Sequence, residues 1–246
     1  MTIHRYIRLL LAPVAGLLLI SSTAGAQMYS RASSEEAHRV QQAAEVLQAL
    51  TGAPDGDIPG GILKRAEAVV VIPSLVKGGF IVGGEHGNGI ISVRDLHKHT
   101  WSAPAFVRIS GGSFGAQIGM QATDLVLVVM NRNAVDDLLR NEFTLGGSVS
   151  VAAGPVGRTS EAEASTDLFM SAQILAYSRS RGLFAGVTLE GAKLSADDQA
   201  NARFYGEGLS TEQIVRDQPM RIHRIPAVAT QWQSTLRTIT GIRAAD

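Results

Sequence analysis

Gly111-Gly112-Ser113-Phe114-Gly115 places a serine in the pattern G-x-S-x-G. That pattern makes a nucleophile when a strand turns sharply into a helix and exposes the hydroxyl. Here residues 116–120 continue with strand character, so a serine hydrolase at Ser113 is a remote alternative. His97-Lys98-His99 offers two imidazoles for one face of a strand. A metal site needs a third ligand and a supporting shell, and this run reads more simply as a solvated turn. His86 beside Glu85 reads as a loop histidine. Asp197-Asp198 opens a helix, where acids complement the dipole. The chain has 0 cysteines, which excludes disulfides and thiolate chemistry. P-loop, dinucleotide and zinc-protease motifs are missing from the sequence. The reading is therefore non-enzymatic, with no catalytic residue, metal or cofactor expected.

Anion recognition has better candidates. Gly154-Pro155-Val156-Gly157-Arg158 is a tight glycine turn carrying a cation. Its N–H groups and guanidinium could hold a phosphate, or Arg158 could pair with a carboxylate inside the fold. In Ser178-Arg179-Ser180-Arg181 the two arginines project to the same side of a strand. Two guanidiniums with interleaved hydroxyls suit phosphate, and a solvated strand end is the competing reading. Lys64, Arg65 and Lys77 flank the first strand. The candidate phosphate-binding set is Lys64, Lys77, Arg158, Arg179, Arg181 and Lys193. With 22 basic and 22 acidic residues the chain has no global field for nucleic acid, so any basic patch must be local.

These side chains need a scaffold. Residues 33–50 have helical periodicity, with Ala37, Val40, Ala44 and Leu47 on one face. Ser33 with Glu36 reads as a capping box, and Gly52 and Pro54 as the stop. A short helix at 62–66 leads to a strand at 69–72 ended by Pro73. Residues 80–84 and 89–94 read as a hairpin around Glu85-His86-Gly87-Asn88. Further strands are expected at 105–109, 114–120, 125–130, 145–153, 173–177 and 184–194. Helices are expected at 133–139, 197–204, 211–216 and 227–240. The succession of short strands favours a single α+β domain. Its core is a curled, mostly antiparallel sheet or barrel, with N- and C-terminal helices packed on it. Glycine pairs recur inside the strands. They serve bulges and twist, or else close approach of a ligand.

The N-terminus has the parts of a secretory signal. His4, Arg5 and Arg8 precede an apolar run at 9–20, and Ala24-Gly25-Ala26 is a small-x-small site. The run is too short for a bilayer span of roughly 20 residues. The expectation is a periplasmic or secreted protein, and not a lipoprotein because no cysteine follows the site. The expected division is a signal at 1–26, an N-terminal helix region at 27–57, the main domain at 58–216 and a C-terminal helical tail at 217–246.

A dense series of motifs in order resembles the SYLF domain family, also called the yeast actin-patch or lipid-binding SYLF family. They include Gly78-Gly79-Phe80, Gly87-Asn88-Gly89, Trp101-Ser102-Ala103-Pro104-Ala105 and Gly112-Ser113-Phe114-Gly115-Ala116-Gln117-Ile118-Gly119. They continue with Thr123-Asp124, Leu145-Gly146-Gly147, Gly154-Pro155-Val156-Gly157-Arg158, the run from Tyr177 to Val187, Leu189-Glu190-Gly191, and Asn201 with Phe204-Tyr205-Gly206. The resemblance covers about residues 58–216. It implies a compact domain that binds phospholipid head groups without catalysis; eukaryotic relatives bind phosphoinositides and some bind actin filaments. With the N-terminus, the expectation becomes an exported phospholipid-binding protein that reads anionic head groups through the basic set above. Its partner would be a phospholipid or membrane surface, with an envelope protein possible; actin is not expected for an exported protein, nor is nucleic acid. The alternative is an envelope structural or protein-interaction module without a lipid ligand.

Overall fold

The computed structural model describes residues 14–52, 58–95, 98–140, 142–147, 150–155, 172–180, 183–184, 189, 191–206, 208–216 and 225–242. At 14–32, 79–82, 113–121, 142 and 183–184 it describes the backbone alone. Two very long strands, β1 (Ala68–Asp95) and β3 (Ala105–Val129), pair antiparallel from Ala68↔Val129 to Ile91↔Ala105. The short β2 (Thr100–Trp101) folds back on Arg94 and Asp95.

The ribbon made by β1 and β3 bends. Its register shifts between Ile72 and Leu75 and again between Gly79 and Ile81. Glycines crowd the second shift on both strands, where they relieve the steric limits on a bulged, strongly twisted backbone. The bend brings the two halves of β1 together. Lys77 Nζ lies 2.7 Å from Glu85 Oε2, whereas a straight strand would hold these residues about 26 Å apart. A Cβ at Gly89 would sit 2.3 Å from the carbonyl oxygen of Val71, and one at Gly87 would sit 2.6 Å from Ile72 Cγ2. At Gly87 and Gly89, then, glycine serves close approach of the chain to itself.

Around this ribbon the sheet is completed by β4 (Glu142–Thr144), β5 (Val151–Ala153), β6 (Ile174–Ser180), β7 (Leu183–Phe184) and β8 (Lys193–Ala196). The main path runs β2-β1-β3-β6-β5, with β8 on the other half of β3 and β4 beyond it. The β5–β6 pair is parallel and the other pairs are antiparallel, so the sheet is mixed and curled into a half-barrel.

Both faces are buried, which explains why the strands read as near-continuous apolar runs. One face carries Val70, Ile72, Leu75, Ile109, Leu125 and Leu127, and packs against α3 (Arg132–Leu139) and α5 (Thr211–Arg216). The other carries Val69, Val71, Ile90, Phe106, Val126 and Val128. It lies beneath α1 (Val14–Thr51), α2 (Gly60–Arg65), α4 (Asp198–Tyr205) and α6 (Ala227–Thr240). N-terminal and C-terminal helices thus share one core with the sheet. Asn131 caps α3 by accepting from the Ala134 N–H, and Asp197 caps α4 by accepting from the Ala200 N–H.

Several expected breaks are absent. Pro73 does not end the first strand. The register shift places Pro73 and Ser74 outside regular pairing, Ser74 takes a φ of 57°, and its N–H donates to Asp124 Oδ1. Residues 85–88 form no hairpin turn, and the three strands expected over 105–130 are one. Among the described residues of the strand expected at 145–153, Val151–Ala153 forms a strand, residues 148 and 149 lie outside the described residues, and β4 precedes it. Of the strand expected over 184–194, Phe184 belongs to β7 and Lys193 and Leu194 to β8, residues 191 and 192 are outside any strand, and residues 185–188 and 190 lie outside the described residues. Ser33 and Glu36 do not cap a helix, because α1 begins at Val14.

Candidate functional site

Glu36 lies on the buried stripe of α1 with Val40, Ala43, Leu47 and Leu50 and is 0% exposed. Its Oε1 accepts from both Nε and Nη2 of Arg203, at 2.9 and 2.7 Å. That hydrogen bond raises the Arg203 pKa above the ordinary guanidinium value. One turn along, Arg39 reaches Asp197 Oδ2 at 3.4 Å and lies over the Phe106 ring. Arg108 donates to Asp197 Oδ1 at 2.9 Å. Asp197 therefore caps α4 and also ties α4 to α1 and β3. Beside this network an open cleft of about 440 Å³ is lined by Glu35, Arg39, Gln42, Ser74, Val76 and His86 among others.

Further buried hydrogen bonds hold the helices on the sheet. Asn201 Oδ1 accepts from the Phe106 N–H, and its amide donates to Thr211 Oγ1. The Tyr205 hydroxyl donates to the Pro104 carbonyl at 2.6 Å. Trp232 Nε1 donates to Ser92 Oγ at 2.8 Å, and Trp101 Nε1 donates to Thr240 Oγ1 at 3.1 Å. Gly154 faces the Tyr177 ring, where an added Cβ would lie 2.1 Å from Cζ. Burial pushes the Tyr177 and Tyr205 phenols above the usual tyrosine range.

The candidate cations are spread around this frame. Lys77 is bound to Glu85. Glu85 packs against Gly111, whose other neighbour is Ala192, and the next residue, Lys193, is exposed and pairs in register with Ser110. Lys77 and Lys193 thus border one neighbourhood. Arg179 pairs in register with Asp124 and donates to the Ala49 carbonyl of α1. Lys64 stands at the opposite end of the ribbon, in α2 near Gly241. Arg158, Arg181 and His97 lie outside the described residues. Ser113 is in mid-strand opposite Gly83, without the strand-to-helix turn of a nucleophile elbow. Among the described residues no three His, Asp or Glu side chains gather in a metal-holding group. The Glu36–Arg203 and Arg39–Asp197–Arg108 pairs escape the sequence reading. The available signal is an acid on the apolar stripe of α1, four residues before Val40.

The class that this fold and site define is a mixed α/β domain: a curled sheet clamped by helices, with an open cleft and polar groups committed to the frame. Residues 110–239 match the family model for Ysc84, described as a Las17-binding protein actin regulator, and the chain belongs to that family. LAS seventeen-binding protein 3 of Saccharomyces cerevisiae is 41% identical over 177 residues, covering 71% of this chain and 37% of the relative. The yeast protein YSC84 is 40% identical over 164 residues, 65% of this chain and 34% of its own length. SH3 domain-containing YSC84-like protein 1 of Xenopus laevis is 36% identical over 173 residues, 68% of this chain and 50% of its own. The chain thus spans about a third to a half of the length of the curated relatives it matches. The resemblance read from the motifs is borne out. The expected periplasmic or secreted placement is not. These relatives are yeast and vertebrate proteins named for SH3 domains and Las17 binding, not for export. The envelope partner and the argument against actin both rest on export and lose their basis with it.

Proposed function

We propose that this chain is a non-enzymatic binding domain that docks on anionic phospholipid head groups through basic side chains around the bend of the β1–β3 ribbon. The observation that supports the reading best is positional. Lys77, Lys193 and Arg179 come from three different strands, β1, β8 and β6. They stand in or opposite register with Gln121, Ser110 and Asp124, at the margins of one stretch of β3. Arg181 follows Arg179 by two residues, and Arg158 belongs to the same proposed set; Lys64, at the far end, does not. Each cation near an anionic surface contributes about 1 kcal/mol, so several must act together. Residues 58–216 are the proposed binding unit.

A second reading has its own support. The family description names Las17 binding and actin regulation, and its match over residues 110–239 overlaps this unit. A protein partner in actin assembly is therefore the competing ligand class.

Co-sedimentation with vesicles tests the first reading. The protein should pellet at low salt with vesicles of equal parts phosphatidylcholine and phosphatidylserine, and not with phosphatidylcholine alone. Arg179→Gln combined with Lys193→Gln should lower binding about thirtyfold. Failure to pellet, or binding unchanged in the double variant, overturns it. Pelleting with filamentous actin in place of vesicles favours the second.

A further inference from the structure

Because β1 folds back on itself, its two ends meet at the end of the ribbon away from the bend. There the Arg94 N–H donates to the Glu67 carbonyl at 2.8 Å. Cations from α2, β1, α3 and α6 gather at this junction. The Arg94 guanidinium donates to the Lys64 carbonyl at 2.5 Å, and Arg132 donates to the Arg94 carbonyl at 3.1 Å. On α6, Gln233, Arg237 and Gly241 follow one another at helical spacing on one face. Gln233 donates to the carbonyl of Trp101, which stands in register with Arg94. At the other end of that face, a Cβ on Gly241 would lie 3.6 Å from Lys64 Cε. Arg237 therefore stands between the Arg94–Trp101 pair and Lys64.

These charges are poorly compensated. The side chains of Lys64 and Arg237 have no hydrogen bond or ion pair among the described residues. Arg94 and Arg132 take carbonyls, and a carbonyl fixes a guanidinium without cancelling its charge. Glu67 is the acid beside them, 3.8 Å from Arg132, which is too long for a hydrogen bond. Asp136, one turn along α3 from Arg132, is taken by Arg216, and Asp95 by Lys98. A chain with 22 basic and 22 acidic residues thus concentrates positive charge at this one end.

We infer that this end of the ribbon docks an acidic segment of a protein partner, whose carboxylates face Lys64, Arg94, Arg132 and Arg237. The inference goes beyond the head-group reading and does not depend on it, since these cations stand apart from the bend. Charge complementarity names the occupant. Guanidinium groups present planar forks that match carboxylates, and the carbonyl contacts hold two of them in place before a partner arrives. The cations form an open array: none of them lines the cleft beside α1. Lys64 is exposed, the Arg132 side chain is 45% exposed, and Arg94 and Arg237 are half-buried. An extended run of carboxylates can meet such an array at several points, whereas a small anion would meet one or two. Exposed pairs contribute little singly, so the partner needs several acids in sequence.

Fluorescence anisotropy of the full chain with fluorescein-labelled hexaglutamate tests the inference, with labelled hexaglutamine as the neutral reference. Hexaglutamate should bind saturably at low salt and release as salt rises, and hexaglutamine should not bind. Lys64→Gln with Arg237→Gln removes two cations that hold no described partner. It should weaken binding about fivefold while circular dichroism stays unchanged. Arg132→Gln is the second variant, expected to weaken binding about twofold. Arg179→Gln with Lys193→Gln, at the bend, should leave hexaglutamate affinity unchanged. Failure to bind at low salt, or a loss with the bend variant and none with the Lys64 and Arg237 variant, overturns the inference. Vesicles of equal parts phosphatidylcholine and phosphatidylserine supply the last arm. The Lys64 and Arg237 variant should pellet with them as the parent does, and a loss there would assign this end to the membrane and overturn the protein partner.

Discussion

Replacing Gly89 by alanine tests the self-contact of the bent ribbon. The new Cβ would lie 2.3 Å from the Val71 carbonyl oxygen, 2.7 Å from Ile72 Cγ1 and 3.1 Å from Ile72 Cα. Two of these atoms are backbone, so no rotamer change relieves the clash, and one half of β1 must move away from the other. Overpacking a tight interior costs about 1–3 kcal/mol. The stiffer unfolded chain returns about 0.4–1 kcal/mol, as for any Gly→Ala change. The net expectation is a loss of about 1 kcal/mol, read by urea unfolding as a lower midpoint with an unchanged slope. Gly112→Ala is the matched control, because its Cβ meets open space. It should be within about 0.5 kcal/mol of the parent. Gly89→Ala as stable as the parent, or the two variants equally destabilised, would refute the claim that glycine at 89 serves close approach.

Two further outcomes follow from the buried polar groups. Arg203→Met strands Glu36, which is 0% exposed; breaking such a pair costs about 3–5 kcal/mol in full burial, and about 2–3 kcal/mol here because Arg203 is partly solvated. Glu36→Leu combined with Arg203→Met should recover most of that loss in the same unfolding assay, and no recovery would deny the pairing. Tyr177 and Tyr205 have folded pKa values raised by burial above the ordinary 10.0. Their protonated state favours the fold in full below that value and the advantage is lost as pH climbs, because the unfolded phenols ionise first. Stability should therefore fall above about pH 10. Tyr177→Phe should flatten the fall, at little cost because that hydroxyl has no hydrogen-bond partner among the described residues.

The sequence pattern made the helices legible and the strands only in part. Residues 211–216 and 227–240 are helical as their periodicity predicts. The strand residues are also recognisable, but their breaks are not. Pro73 and the run Glu85-His86-Gly87-Asn88 carry ordinary turn chemistry, and here tertiary context overrides it. A register shift accommodates the proline, and Gly87 and Gly89 are spent on contact with Val71 and Ile72. Turn residues report what a backbone tolerates, and a bent ribbon needs the same tolerance as a hairpin. Glu36 misleads for a related reason. Three residues after a serine it has capping-box spacing, yet its place is set by the apolar stripe and by Arg203, which is remote in sequence. The candidate cations were recognisable as residue types, but their distribution between the two ends of the ribbon depends on how the sheet curls.

The central functional claim is tested most directly by vesicle affinity as a function of salt. With vesicles of equal parts phosphatidylcholine and phosphatidylserine, binding should be strong at low ionic strength. It should weaken steeply as salt rises toward physiological levels, where the screening length is about 8 Å. It should vanish when phosphatidylserine is omitted. Affinity indifferent to salt and to phosphatidylserine, or no binding at any salt, would contradict the account.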